Sequence, residues 1–279
     1  MYISIDIGGT NTRIASSKDL HDIHSDVKFS TSQDLNEEKK LISSGVAEVL
    51  EGQLLQGACI GVPGLVDKKN RRFKQIVNVP ALSGLAFYEM LGVEIDPSLV
   101  FAENDASLAG LGEAVLGAGR DYEVVAYLTL STGVGGVRIA GKQIDPYQRH
   151  SEPGHMIIQE GGLHFDLCGQ NGCVSAYVSG TAFSDIYGVS PAECEDSSIW
   201  QDYAKKLSLA IINVVAMWGP DVIVFGGSMS KKFNSNFEKP LLEVLSEEPL
   251  FKIPPIVRCE LGDNSGIVGG FVYLSQYLD

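Results

Sequence analysis

One pattern constrains the fold of this chain most, and it occurs twice. An apolar strand ends in a glycine-rich turn, and a second strand follows the turn. Residues 3–7 alternate apolar and polar side chains before Gly8-Gly9, and residues 124–130 are apolar before 131–133. Alternation with a period of two indicates a half-buried strand, and the glycines permit a tight reversal. Return strands are predicted over 10–16 and 137–144, so each half of the chain should begin its sheet with a hairpin.

Strand and helix patterns alternate along the rest of the chain. Short strands are predicted over 58–62, 99–103 and 221–225, and helices over 34–51, from 106 onwards, 199–218 and 267–278. In the first helix, one face holds Leu41, Ile42, Val46, Val49 and Leu50, and Glu37, Glu38, Lys39 and Lys40 are expected elsewhere. This order predicts an α/β protein with mixed sheets.

The length of 279 residues suits two domains. The boundary is expected near 106–120, which gives an N-terminal domain over 1–115 and a C-terminal domain over 116–279. The closing helix, about 266–279, could pack back on the N-terminal domain.

Charge and cysteine usage exclude several classes of protein. With 35 acidic and 21 basic residues, the formal charge is −14, which disfavours a nucleic-acid partner. The opening residues lack the basic and apolar regions of a signal peptide, and no apolar run is long enough to suggest a membrane partner. The five cysteines are scattered rather than arranged as a disulfide framework, so a cytoplasmic location is expected.

The two glycine-rich turns are candidate phosphate sites. Gly8 and Gly9 let the backbone approach a phosphate, Thr10 can donate hydrogen bonds to it, and Asp6 could hold Mg²⁺ directly or through water. The 131–136 segment has the same form. A plain hairpin turn explains either segment equally well by itself, but two such turns together favour a shared phosphate site.

Two further strand ends carry candidate residues. Gly226-Gly227-Ser228 follows the strand 221–225, where open α/β sheets bind ligands, although a tight connection alone would also use glycine. Glu103-Asn104-Asp105 closes the strand 99–103, and Asp105 is the candidate general base for phosphoryl transfer. A helix follows directly, so an N-cap is the competing interpretation, and both roles could coexist across the two residues.

A third group centres on His155. Glu152 and His155 can converge on sugar hydroxyls, although a lone histidine is more often structural. His155 with Cys168 and Cys173 matches three ligands of a tetrahedral zinc site, and two buried, unligated cysteines are the alternative.

Taken in order, these motifs resemble the ROK family of sugar kinases, within the sugar kinase/actin-like ATPase superfamily. The matching segments run almost the full length of the chain: DIGGTNTR at 6–13, GVPGLVD at 61–67, NVPAL at 78–82, ENDA at 103–106, LSTGVGG at 130–136, EPGH at 152–155, CGQNGC at 168–173, FGGS at 225–228 and LGDNSG at 261–266.

The resemblance implies two actin-like (ribonuclease H-like) domains with mixed sheets flanked by helices and an active-site cleft between them. It implies ATP and Mg²⁺ as cofactors, a homodimer and Asp105 as the catalytic base. The residues that it assigns to ATP and its phosphates are Asp6, Gly8, Gly9, Thr10, Asn11, Arg13, Thr132, Gly133, Gly226 and Gly227. Those that it assigns to the sugar are Gly64, Asn78, Asn104, Asp105, Glu152 and His155.

Three positions depart from the family pattern. Asp166 stands where the family commonly has the first zinc cysteine, so a His-Asp-Cys-Cys zinc site and loss of zinc both stay open. Ser175 replaces a glutamate that often touches the sugar, which could alter sugar preference. Val137 follows Gly136 where many members have a third glycine, and an effect on the return strand alone is expected.

The expected activity is ATP-dependent phosphorylation of a hexose or hexosamine, with glucose at its 6-hydroxyl as the first choice. N-acetylmannosamine, N-acetylglucosamine and fructose are the alternative substrates. The family also includes transcriptional repressors, whose N-terminal helix-turn-helix has no counterpart before the turn at residue 8. A non-catalytic sugar sensor is the remaining alternative, suggested by Asp166 and Ser175.

Overall fold

The computed structural model describes residues 1–76, 79–146, 152–165 and 168–278. Within them the strands are β1 Tyr2–Ile7, β2 Asn11–Ser17, β3 Ser25–Ser30, β4 Gly57–Val62, β5 Gly64–Asp67, β6 Arg72–Ile76, β7 Val100–Asn104, β8 Val124–Leu130, β9 Val134–Ala140, β10 Gln143–Ile144, β11 His164–Phe165, β12 Gln170–Asn171, β13 Val222–Gly226 and β14 Ile256–Arg258. The helices are α1 Leu35–Leu50, α2 Asp105–Val115, α3 Ser175–Val178, α4 Gly180–Tyr187, α5 Ser197–Trp218, α6 Glu238–Leu245 and α7 Ser265–Tyr277.

The chain divides into two compact units. Unit 1 comprises Met1–Gly112 and Asn264–Asp279, and unit 2 comprises Glu113–Asp263. Each unit has its own buried apolar cluster. Within the described residues, no helix combines the length and the apolar character that a membrane span requires.

Unit 1 is built on a mixed sheet in the order β3-β2-β1-β4-β7. β1 runs antiparallel to β2 and parallel to β4, and β4 runs parallel to β7. Every residue of β4 is buried, as expected for a strand covered on both faces. α7 supplies part of this cover, because it packs on β1 and β4.

Unit 2 repeats the arrangement with the sheet order β10-β9-β8-β13-β14. β8 is antiparallel to β9 and parallel to β13. α5 begins at an Asp196 cap whose side chain accepts the Ser198 N–H, and it ends at Gly219 in the left-handed conformation. Its apolar face packs into an aromatic cluster that includes Phe183, Trp200 and Phe237.

Most predicted elements are confirmed, including both hairpins, but the second return strand differs in its bounds. It begins at Val134 instead of Val137, and β10 is a separate short strand after a turn. Gly136 therefore lies inside β9, opposite Leu128. A Cβ there would lie 2.8 Å from the ring of Pro153, so this glycine serves close packing within the strand rather than the turn.

The prediction for one residue of α1 was wrong. Glu38 was expected away from the apolar face, yet it is fully buried. It precedes Ile42 by four residues and therefore shares the face that packs on the sheet. β3 and the β5–β6 hairpin were not predicted at all.

Candidate functional site

Three parallel strands of unit 1 end side by side and bring predicted site residues to one edge of the sheet. In the register, Asp6 of β1 pairs with Gly61 of β4, and Gly61 pairs with Glu103 of β7. The segments that follow, at Gly64 and at Asn104-Asp105, therefore lie at the same edge as Asp6. Ligands of α/β sheets bind at this carboxyl edge.

Asp6 is half-buried at this edge. Burial raises its pKa to about 7, repulsion from Asp105 adds to the rise, and Arg13 partly opposes it. Its carboxylate lies in a space that glycines leave open: a Cβ on Gly266 of α7 would lie 2.9 Å from Oδ2, and one on Gly61 would lie 3.6 Å from Oδ1. A bound cation would relieve this partly buried negative charge, so the site fits Mg²⁺.

Asp105 begins α2 and is also half-buried. Burial raises its pKa, and the hydrogen bond from the Ala106 N–H to Oδ1, at 2.9 Å, partly offsets that rise. A carboxylate whose pKa lies above its ordinary value is a stronger proton acceptor, which suits a general base.

Asn104 caps the helix that Asp105 begins. Its Oδ1 accepts the Ser107 N–H at 3.0 Å, and its Nδ2 donates to the Gly64 carbonyl at 3.4 Å. Gly64 has φ 144°, and a Cβ there would lie 2.2 Å from the Gln75 carbonyl oxygen. The capping role thus belongs to Asn104. Asn78 lies outside the described residues.

The turn between β1 and β2 is closed by a backbone hydrogen bond. The Gly8 N–H donates to the Asn11 carbonyl at 3.0 Å, and a Cβ on Gly8 would lie 2.9 Å from that oxygen. Gly9 and Thr10 are exposed, as a phosphate-binding turn requires. Arg13 donates to Asn264 Oδ1 at 3.2 Å, just before α7, so its guanidinium is held within unit 1.

Unit 2 brings its two glycine-rich turns together. Gly226 of β13 pairs with Thr129 of β8. Gly227 has φ 79°, and a Cβ there would lie 2.4 Å from the Leu130 carbonyl oxygen. The turn that follows β8 is open at Gly133, where a Cβ would meet nothing within 4 Å, and Thr132 is exposed.

The Glu152–His155 segment packs against the start of β9. A Cβ on Gly154 would lie 1.9 Å from the Val134 carbonyl oxygen and 2.6 Å from Ser175 Oγ. Ser175 is buried, and its Oγ accepts the Val134 N–H at 3.2 Å. In this structure the serine therefore fixes the first residue of β9, a role that its sequence position did not predict. Glu152 is exposed.

His155, Cys168 and Cys173 come together in unit 2. Their ligand atoms all lie within 4.8 Å of one another, and the two sulfurs are 3.8 Å apart. Two sulfurs bound at about 2.3 Å around a tetrahedral zinc would be about 3.8 Å apart. Burial lowers the pKa of His155, and among the described residues its buried Nδ1 has no hydrogen-bond partner. These residues therefore fit Zn²⁺. Asp166, the candidate fourth ligand, lies outside the described residues.

A hydrogen-bonded network behind the β1–β2 turn, which connects Glu38, Thr12 and Thr31, was not predicted from the sequence. Glu38 Oε1 accepts from the Thr12 hydroxyl at 2.8 Å, and Thr12 Oγ1 lies 2.9 Å from Thr31 Oγ1. The Thr31 hydroxyl in turn donates to the Gly8 carbonyl at 2.8 Å. The sequence did contain one sign of it: Glu38 precedes Ile42 by four positions, a spacing that places it on the buried face of α1.

Comparisons with known proteins agree with this geometry. A family model described as ROK family matches residues 2–276. A glucokinase from Halalkalibacterium halodurans is 26% identical, over 96% of this chain and 93% of its own length. An N-acetyl-D-glucosamine kinase from Escherichia fergusonii is 28% identical, over 99% and 100% of the two chains.

Solved structures show the same fold. A ROK family glucokinase from Streptomyces griseus, in complex with glucose and AMPPNP, matches with a TM-score of 0.78 and 22% identity over 99% of both chains. A ROK family transcriptional regulator, a homologue of the E. coli MLC protein, matches with a TM-score of 0.82 and 19% identity over 99% of this chain and 78% of its own. These matches confirm the predicted actin-like α/β fold class.

Proposed function

The chain belongs to the ROK family, and we propose that it is an ATP-dependent sugar kinase that phosphorylates glucose at the 6-hydroxyl. The observation that carries this proposal is the half-buried Asp105, which begins α2 at the carboxyl edge of the unit 1 sheet with a raised pKa. A positioned carboxylate that readily accepts a proton is the one piece of acid–base chemistry that phosphoryl transfer to an alcohol needs.

In the proposed reaction, the sugar hydroxyl oxygen attacks the γ-phosphorus of ATP. A bond forms between that oxygen and phosphorus, the bond from phosphorus to the β–γ bridging oxygen breaks, and ADP leaves. The hydroxyl proton passes to the carboxylate of Asp105. Because burial raises the pKa of Asp105, activity should decline on acidification at a pH above the ordinary range of a carboxyl group.

The other residues position the reactants. The backbone and hydroxyl groups of the Gly8–Thr10 turn, with Asn11, Arg13, Thr132 and Gly133, hold the phosphates, and Gly226-Gly227 receives the adenosine. Asp6 would hold Mg²⁺, which neutralises phosphate charge when it is bound. The sugar is held by Gly64, Asn78, Asn104, Glu152 and His155.

The cluster of His155, Cys168 and Cys173 would hold Zn²⁺ in a structural role. A metal here links the Glu152–His155 turn to the segment that leads into α3, and so fixes a sugar-contacting turn. The assembly that we propose is a homodimer.

The names of the matched relatives support more than one possible sugar substrate. The matched proteins include an N-acetyl-D-glucosamine kinase as well as a glucokinase. N-acetylglucosamine is therefore the first alternative to glucose, and N-acetylmannosamine and fructose are the further alternatives that the family resemblance implies.

A non-catalytic sugar sensor is the second candidate, because a ROK family regulator has a TM-score of 0.82 to this chain. The kinase is favoured because Asp105 and both glycine-rich turns are in place. A sensor has no need of a half-buried carboxylate poised to accept a proton.

The test is release of ADP from Mg-ATP, measured against a panel of hexoses and N-acetylhexosamines. We expect glucose to give the fastest turnover. Asp105→Asn should lower kcat by about a hundredfold or more, while the Kd for glucose, measured by calorimetry, changes little. Asp121→Asn, an exposed carboxyl in unit 2, is the matched control. Full turnover in Asp105→Asn would reject the base assignment, and a wild-type protein that binds glucose without turnover would favour the sensor.

A further inference from the structure

A fully buried carboxyl group stands behind the proposed phosphate turn. Glu38 lies on the apolar face of α1, one turn before Ile42, and none of its surface is exposed. Its two hydrogen-bond donors, the Thr12 hydroxyl and the Ser32 N–H, are both uncharged. Burying a carboxyl group among neutral partners is unfavourable compared with an aliphatic side chain of similar size. Core packing alone therefore does not explain a glutamate here.

The hydrogen bonds of Glu38 lead to the turn. Glu38 Oε1 accepts from the Thr12 hydroxyl at 2.8 Å, and Glu38 Oε2 accepts the N–H of Ser32, the residue after Thr31, at 2.7 Å. Thr12 Oγ1 and Thr31 Oγ1 lie 2.9 Å apart; Glu38, Thr12 and Thr31 are here called the Glu38 relay. The relay ends on the backbone: the Thr31 hydroxyl donates to the Gly8 carbonyl at 2.8 Å, and the Thr31 N–H donates to the Thr10 carbonyl at 3.0 Å. The carbonyls of Gly8 and Thr10 are thereby fixed.

Fixing these carbonyls also fixes the N–H groups of the turn. Each peptide unit is planar, so the direction of the Gly8 carbonyl sets the direction of the Gly9 N–H, and the Thr10 carbonyl sets the Asn11 N–H. Hydrogen-bond donors that are aimed in advance stabilise developing phosphate charge without reorganisation during the reaction.

We propose that Glu38 is a positioning residue for the nucleotide phosphates, acting through Thr12 and Thr31 on the Gly8–Thr10 turn. The proposal rests on the proposed function, since it assumes that this turn binds phosphate. Glu38 itself contacts neither substrate, so its effect should fall on ATP and leave the sugar unaffected.

The substitutions follow from the hydrogen bonds. Glu38→Gln keeps the contacts of the relay: its carbonyl oxygen can accept the Ser32 N–H, and its amide can donate to Thr12, which reverses the direction of that hydrogen bond and frees the Thr12 hydrogen for Thr31. Glu38→Leu removes the relay at its source. Thr31→Val removes only the last hydroxyl and keeps the side-chain shape, so it serves if Glu38→Leu does not fold.

The measurements are KM for ATP, KM for the sugar, kcat and the Kd for AMPPNP. We expect Glu38→Leu and Thr31→Val to raise KM for ATP and the Kd for AMPPNP by about tenfold, with KM for the sugar changed less than about twofold. Glu38→Gln should restore both nucleotide values to near those of wild type. Asp34→Ala removes the cap of α1, where Asp34 accepts the Glu37 N–H, and is the matched control: it should lower Tm without changing nucleotide affinity.

Each outcome separates this proposal from the proposed function. If wild type binds AMPPNP but phosphorylates no sugar, the kinase assignment fails, and the Kd values still decide the role of Glu38. If Thr31→Val and Glu38→Leu lower Tm but keep wild-type nucleotide affinity, as Asp34→Ala is expected to do, Glu38 is only structural and the proposal is overturned. A wild-type protein that binds no nucleotide would overturn both.

Discussion

Asp6 makes the folded protein less stable at the pH where it would work. In the folded chain its pKa is about 7, against an ordinary value of 3.8. The stability associated with this raised pKa is fully present below about pH 4, where both states are protonated, and it is lost as the pH rises through 7. At pH 8 the folded protein holds an ionised, partly desolvated carboxylate that Asp105 repels.

Replacing Asp6 by asparagine should therefore stabilise the protein and inactivate it together. One pKa unit corresponds to about 1.4 kcal/mol, so Asp6→Asn should raise the free energy of unfolding by up to about 4 kcal/mol at pH 8 and have little effect at pH 4. Denaturant unfolding at the two pH values measures the difference. Asp22→Asn, an exposed carboxyl, should have no effect at either pH, and a less stable Asp6→Asn at pH 8 would contradict the expectation.

At the scale of elements, α7 and α2 approach so closely that their backbones touch. A Cβ on Gly269 of α7 would lie 1.8 Å from the Leu108 carbonyl oxygen, and one on Gly112 of α2 would lie 2.5 Å from the Ser265 carbonyl oxygen. Both obstacles are backbone atoms, which cannot move aside without shifting a helix. This contact sets how near α7 lies to the edge that carries Asp6 and Asp105.

The same substitution in two helices should have very different effects on stability. Gly269→Ala should lower the free energy of unfolding by several kcal/mol, roughly 3 or more, since overpacking here displaces a helix. Gly45→Ala in α1 would meet the tips of side chains, such as Ile14 Cδ1 at 2.9 Å, and alanine favours helix by about 1 kcal/mol over glycine, so stability should change by less than about 1 kcal/mol. Thermal and denaturant unfolding compare the pair; equal losses would show that the helix contact is not tight.

The sequence predicts those elements whose formation depends on neighbouring residues, and it does not predict features that depend on residues far along the chain. β1 was predicted because its side chains alternate with the period of a strand, β8 because it is a continuous apolar, β-branched run, and α5 because its apolar stripe ends at a glycine. β3 was missed because Ser25–Ser30 mixes charged and small residues at an edge of the sheet. The burial of Glu38 and the bond from Val134 to Ser175 depend on partners far along the chain, which no local pattern records.

The whole molecule is organised as two units with separate cores. The cluster of unit 1 is formed by residues such as Ile5, Val46 and Ile60, and that of unit 2 by residues such as Trp200, Phe225 and Phe237. A change inside one core should therefore be felt first by the unit that contains it.

Amide hydrogen exchange tests this organisation. Removing a bound metal with a chelator should weaken protection in unit 2, around His155 and Cys173, and leave β1 and β4 of unit 1 unchanged. Asp6→Asn at pH 8 should do the reverse, strengthening protection in unit 1 alone. If the chelator changes nothing, His155 and the two cysteines hold no metal; if either treatment alters both units equally, the two cores are energetically a single unit.

The discontinuity of unit 1 has a consequence for how the protein is made. Its sheet and its candidate catalytic carboxyl groups precede unit 2 in the chain, but α7, which packs on β1 and β4 beside Asp6, follows unit 2. All of unit 2 is translated before that helix emerges from the ribosome. A nascent chain can therefore complete unit 2 while unit 1 still lacks one wall. The wall beside Asp6 is added only after unit 2 has been translated, and a chain that stops before residue 264 lacks α7.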